Sequence, residues 1–95
     1  MPDLQPARVT VQIDDDRFRV AEWHFEPGTE TGWHRHDLDY VVVPMTSGQL
    51  TIETADGPIV ADLVAGRSYT RRAGVEHNVT NLSNSPVTFV EVERR

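Results

Sequence analysis

The chain contains no cysteine. That excludes disulfide cross-links, thiolate metal sites, iron–sulfur clusters and thiol nucleophiles together, so any metal must be held by His, Asp or Glu. Long apolar runs are also missing. No stretch approaches the roughly 18–20 consecutive apolar residues of a membrane helix, and the opening MPDLQPARVT lacks the apolar segment of a secretory leader. A cytoplasmic protein that neither spans nor attaches to a membrane is expected. Positive charge is in deficit, with 9 Lys and Arg against 15 Asp and Glu and a formal net charge of −6. Such a balance repels phosphate backbones, so nucleic acid is not expected as a partner.

What is present is alternation. Apolar residues recur with a period of two, broken every eight to twelve residues or so by Gly, Pro, Asn and Asp clusters, and helical periodicity is nearly absent. The pattern predicts strands near residues 9–13, 18–25, 32–36, 40–43, 49–54, 59–63, 68–71, 77–80 and 87–93, separated by turns such as Glu26-Pro27-Gly28 and Ala55-Asp56-Gly57-Pro58. A flat sheet of eight or nine short strands would leave long exposed edges, so two facing sheets closed into an all-β jelly roll are expected. At 95 residues, one domain covering residues 1–95 accounts for the whole length.

Three of the four histidines stand where chemistry is expected. His34 and His36 are separated by one residue on a predicted strand, so their side chains share a face. His77 follows forty-one residues after His36, at the start of another strand that a folded-back sheet can bring opposite the pair. Three imidazoles facing into a small barrel make a divalent-metal site of the class that takes Zn, Fe, Ni, Mn or Cu.

The frame around them is more specific. From Gly28 the chain runs Gly28-Thr-Glu-Thr-Gly-Trp-His34-Arg-His36 and then reaches Gly48. From Gly66 it runs through Arg72-Ala-Gly74-Val-Glu-His77 to Asn81. This resembles the paired signatures of the cupin superfamily, G-x5-H-x-H-x3,4-E-x6-G and G-x5-P-x-G-x2-H-x3-N. The match spans residues 28–81 and holds at eight of ten signature positions: Gly28, His34, His36, Gly48, Gly66, Gly74, His77 and Asn81. Two positions depart. Tyr40 or Val41 stands where the first signature has glutamate, and Arg72 where the second has proline.

The resemblance, which is to short single-domain cupin-2 barrels, implies a double-stranded β-helix in which His34, His36 and His77 ligate a divalent transition metal such as Fe, Ni, Zn or Mn. The fourth ligand place is then empty or filled differently. Asp39 and Tyr40 are the oxygen donors nearby. Asp39 needs a register shift that reverses its face, and the neutral phenol of Tyr40 is a poor ligand, better suited to lining the pocket. Some cupin dioxygenases use three histidines on iron(II), so the resemblance implies an oxidoreductase of dioxygenase type acting on a small organic molecule. The alternative is a non-catalytic barrel that binds a small ligand for sensing or storage. Small cupins resemble one another in pairing through sheet edges, and a homodimer is expected.

Neighbouring residues fill supporting roles. Arg71 and Arg72 differ in direction on a regular strand, so one can reach the barrel mouth and clamp a substrate carboxylate, although such pairs more often form a solvated, salt-bridging face. Asn81 and Asn78 lie where they satisfy turn backbone groups, with Asn81 also a candidate at the pocket. His24 is expected to be exposed or structural, Trp33 a core or interface aromatic, Glu76 outward-facing, and Tyr69 either pocket wall or core. The interior is expected to be lined by Tyr40, Val41, Val43, Leu50, Ile52, Val79 and Phe89.

Overall fold

The computed structural model describes residues 3–95. It contains eleven strands: β1 (Gln5–Pro6), β2 (Arg8–Asp14), β3 (Phe18–Phe25), β4 (Thr29–Glu30), β5 (His34–Arg35), β6 (Tyr40–Pro44), β7 (Gly48–Thr54), β8 (Gly57–Leu63), β9 (Tyr69–Arg71), β10 (Glu76–Asn81) and β11 (Val87–Arg94). One sheet runs β1-β4-β10-β7-β8, with β5 also pairing β10; the other runs β2-β3-β11-β6-β9. Among the described residues no helix is long and apolar enough to cross a membrane.

The two sheets enclose a core because period-two alternation gives each strand one apolar face. Phe25, Tyr40, Val42, Leu50, Leu63, Val79, Val87 and Phe89 form that core, with the Phe25 and Phe89 rings stacked at 5.5 Å. Gly48 opens β7 where the chain passes tightly over the core. A Cβ there would stand 2.8 Å from Cγ2 of the fully buried Val87, so the backbone approach requires glycine.

Most strands fall within a residue or two of the expected spans; the exceptions have local causes. β1 and β4 are two residues each, paired in parallel through Gln5–Thr29 and Pro6–Glu30, and elements so short carry no readable period. The strand expected over residues 32–36 is confined to His34–Arg35, because Gly32 takes a positive φ of 86° that breaks the extended backbone ahead of it.

Val41 and Val43 do not line the interior. Tyr40, Val42 and Pro44 are buried and their alternate neighbours turn to the other face. The run Val41-Val42-Val43 is apolar on both faces, so hydrophobicity alone leaves its direction undetermined. β2, at the free edge of its sheet, is exposed at all seven positions and carries a bulge between Val11 and Ile13.

Candidate metal centre

Strand register brings the histidines together. His34 and His77 are direct Cα partners in the antiparallel β5–β10 pair, where opposed side chains sit closest. The ladder continues past β5, since the His36 amide donates to the Val75 carbonyl and the Gly74 amide to the His36 carbonyl, at 2.8 and 2.7 Å. His36 therefore holds the i+2 position beside His34 on the same inward face.

The ring nitrogens converge. Nε2 of His34 lies 3.0 Å from Nε2 of His36 and 3.1 Å from Nε2 of His77. Two donors bound to one ion at about 2.1 Å lie about 3.0 Å apart at a right angle and about 3.4 Å at the tetrahedral angle, so these separations fit a shared transition metal. Nitrogens this close repel unless a proton or a cation lies between them. The three residues present ligand atoms within 4.8 Å of one another.

Protonation favours the same role. Burial, reinforced by His34, pulls His36 down to about 4, and burial with the charges of His34, His36 and Arg71 does the same for His77. Both rings are neutral near pH 7, with lone pairs free. Nδ1 of His34 lies 2.8 Å from the Gly32 carbonyl, an acceptor, so Nδ1 carries the proton and Nε2 is the bare donor. That carbonyl is itself held in place. The Gly32 amide donates to Oδ1 of Asn78 at 2.9 Å, and Nδ2 of Asn78 donates to Glu30 at 2.7 Å. Oγ1 of Thr31 also donates to the Gly32 carbonyl and accepts from the Val79 amide.

Tyr40 stacks on His36, with centroids 4.0 Å apart and planes inclined by 23°. Burial, with Glu91 adding, raises its hydroxyl well above the ordinary phenol range, so it remains a neutral phenol. Glu91, on the inward face of β11, is 7% exposed, and burial lifts its carboxyl to about 7. Glu91 and Glu93 present oxygens within 4.8 Å of a ligand atom of His36. Glu93 is paired with Arg19 at 3.6 Å. Neither acid stands out in the motifs, yet the alternation Val87, Phe89, Glu91, Glu93 carries the signal, since it sends two carboxylates along the face that buries Phe89.

The other candidate residues lie around this cluster or away from it. The Asp39 carboxylate is exposed and accepts the Ala73 amide at 2.8 Å, which makes it a turn brace rather than a member of the histidine group. Arg71 lies over the Tyr69 ring at 4.6 Å and reaches the cavity wall beside His77. Arg72 opens onto an outer groove with Asp39, Val41 and Arg94, and among the described residues neither arginine forms a salt bridge.

Asn81, fully buried, donates to the Phe25 and Ser85 carbonyls and accepts from Ser83, closing the turn after β10; it lines none of the cavities described here. Asn78 fastens the Gly32 loop rather than a turn of its own. His24 bonds Thr88 at 2.7 Å, Glu76 faces outward, and Tyr69 lines the interior. Trp33 is not in the core: it is 59% exposed, because the turn at Gly32 swings it outward.

The barrel interior beside His77, Tyr40 and Glu91 leaves a cavity of only about 20 Å³, room for a single water. A larger cleft of about 580 Å³ opens on His34 and His36 and is lined by Trp23, Leu38, Glu91, Glu93 and the arginines 19, 35 and 95. Access to His34 and His36 is through this cleft, and a second of about 420 Å³, lined by Tyr69, Arg71 and Val75, reaches His77.

Two sheets folded as a double-stranded β-helix around an inward histidine cluster define a cupin barrel. The cupin domain family (Cupin_2) matches residues 21–93, and the chain belongs to that family. It is 58% identical over 84 residues to a Pseudomonas aeruginosa protein named beta-alanine degradation protein BauB, with 88% of each chain covered. Its fold is similar to the crystal structure of a cupin domain from Bordetella pertussis Tohama I, with a TM-score of 0.96, 54% identity and coverage of 100% and 99% of the two chains. A Klebsiella pneumoniae protein with a double-stranded β-helix domain is similar at a TM-score of 0.77 and 26% identity, over 99% of this chain and 81% of that one.

Proposed function

We propose that the protein is a metal-dependent enzyme in which His34, His36 and His77 hold a divalent transition ion, and that it acts on a small organic carboxylate by oxygenase-type chemistry. The observation that carries this reading is the convergence of the three Nε2 atoms, with His34 3.0 and 3.1 Å from its two partners. A divalent ion held there supplies Lewis acidity and, as iron(II), redox capacity toward oxygen.

The chain's own residues bind and orient. The Gly32 carbonyl fixes the His34 tautomer. Tyr40 backs His36 and contributes a neutral hydroxyl. Arg35 and Arg95 line the cleft in exposed ion pairs with Asp37 and Asp14 that a carboxylate ligand can replace, and Trp23 and Leu38 give the cleft an apolar wall. The name of the Pseudomonas relative refers to degradation of beta-alanine, a small carboxylate, which supports that ligand class.

The test is metal analysis of protein purified without chelator, followed by oxygen uptake with iron(II) and a panel of small carboxylates. Bound metal and turnover with one of them are expected. Protein that takes up no transition metal, or His34→Ala, His36→Ala and His77→Ala variants that bind it unchanged, removes the reading. Tyr40 in place of a charged ligand favours one other reading, a non-catalytic ligand-binding barrel. Thermal stabilisation by a carboxylate, with no turnover under any metal, selects it. We also propose that the chain forms a homodimer through the free edge strand β2.

A further inference from the structure

We propose that Glu91 is the carboxylate of the metal centre, a fourth protein donor delivered from the sheet opposite the histidines. This rests on the three-histidine reading above and assigns it a residue from outside both sequence motifs.

Register comes first. On β6 and β11, Val42 pairs with Glu91 and Tyr40 pairs with Glu93, so Glu91 is the diagonal neighbour of Tyr40 on the same inward face. Diagonal neighbours on a sheet lie within reach of long side chains. A carboxylate that Tyr40 does not supply from β6 is therefore available from the adjacent strand. Glu91 presents an oxygen within 4.8 Å of a ligand atom of His36, the ring shared by both clusters, and it lines both the interior cavity with His77 and the cleft with His34.

Charge comes second. Glu91 is 7% exposed, and none of the side-chain hydrogen bonds or ion pairs among the described residues involves its carboxylate, whose contact with solvent is confined to the cavity and cleft it lines. A buried carboxylate without a partner is costly, and a cation removes the cost. The arginines nearby are engaged elsewhere: Arg19 with Glu93, Arg35 with Asp37, Arg95 with Asp14, and Arg71 with the Tyr69 ring and the Thr70 carbonyl. The remaining cation for Glu91 is the ion at the histidines. Three neutral imidazoles leave the full charge of that ion uncompensated, and one carboxylate halves it.

Cobalt(II) titration of the full chain tests the assignment, read by visible absorption and by competition with a chelator. Glu91→Gln is expected to weaken cobalt binding by about tenfold or more and to change the absorption bands. Glu93→Gln, which removes an acid already paired with Arg19, is expected to stay within about threefold of the parent. Thermal melting of the metal-free variants checks folding; Glu91→Gln removes a buried charge and is expected to melt no lower than the parent. A parent protein that binds no cobalt overturns the metal centre and this assignment together. A parent that binds cobalt, with Glu91→Gln matching it in affinity and spectrum, overturns the role of Glu91 alone.

Discussion

His34 and His77 occupy directly opposed positions on β5 and β10, and their Nε2 atoms lie 3.1 Å apart. Register alone does not aim the His34 ring. The aim comes from the Gly32 carbonyl on Nδ1, and Gly32 is held by Asn78, which Glu30 holds in turn. Asn78→Ala removes no ligand but frees that chain of contacts. The expected result is a loss of metal affinity of about tenfold, in the range found for partners that orient ligating histidines. Chelator competition measures it. Unchanged affinity would mean that backbone pairing alone orients the ring.

Acid sensitivity follows from the buried rings. His36 and His77 sit at about 4 in the folded chain, against about 6.5 unfolded. Between those values the unfolded chain binds more protons, so folding stability rises with pH and is lost as pH falls. Glu91, lifted from 4.5 to about 7, acts in the opposite sense over nearly the same window, because its folded form holds the proton longer. Two histidines against one glutamate leave a net proton uptake by the unfolded chain that grows from a fraction of a proton near pH 6.5 to about one near pH 5. In chelator-treated protein, urea unfolding is expected to lose about 1 kcal/mol per pH unit between pH 6.5 and 5, steepening toward pH 5, and about twice that in Glu91→Gln. A flat profile in that interval contradicts the burial of the two rings.

The same residues show what a sequence can and cannot carry. The His-x-His spacing places two rings on one face, and the turn glycine at position 74 returns the chain so that β10 meets β5; both are local statements that spacing encodes. The direction of Val41-Val42-Val43 is not encoded locally, since either face of that run is apolar, and the core chose Val42. The two-residue strands β1 and β4 exist only through their partners. Glu91 reads as one acid among fifteen until the pairing of β6 with β11 sets it beside Tyr40 and His36.

Gly48 tests how tightly the barrel closes. A methyl group at that position meets Val87 Cγ2 at 2.8 Å, and Val87 is fully enclosed and has nowhere to move. Gly48→Ala is expected to cost about 1–3 kcal/mol in urea unfolding, the usual penalty for overfilling a packed core. Shortening the opposing side chain relieves the clash, so Gly48→Ala with Val87→Ala is expected to cost less than the sum of the two single changes. Strict additivity would show that the two sites do not touch.

The edge of the second sheet carries the last prediction. β2 is exposed along all seven residues, with Val9 at 43%, Val11 at 47% and Ile13 at 47%, and among the described residues no strand lies beside its outer backbone groups. Folded proteins commonly protect such an edge with lysine or proline. This strand, RVTVQID, has neither, and its bulge after Val11 interrupts the pairing with β3 without covering the edge. A second copy of the chain, adding β2 to β2, covers both the backbone groups and the valine row. Light scattering at micromolar concentration is expected to give about twice the 10.7 kDa chain mass. Val11→Lys places a charge in the row and is expected to halve that mass while leaving the circular dichroism spectrum unchanged, since Val11 lies outside the core. A parent protein of single-chain mass leaves β2 without a partner and removes the dimer.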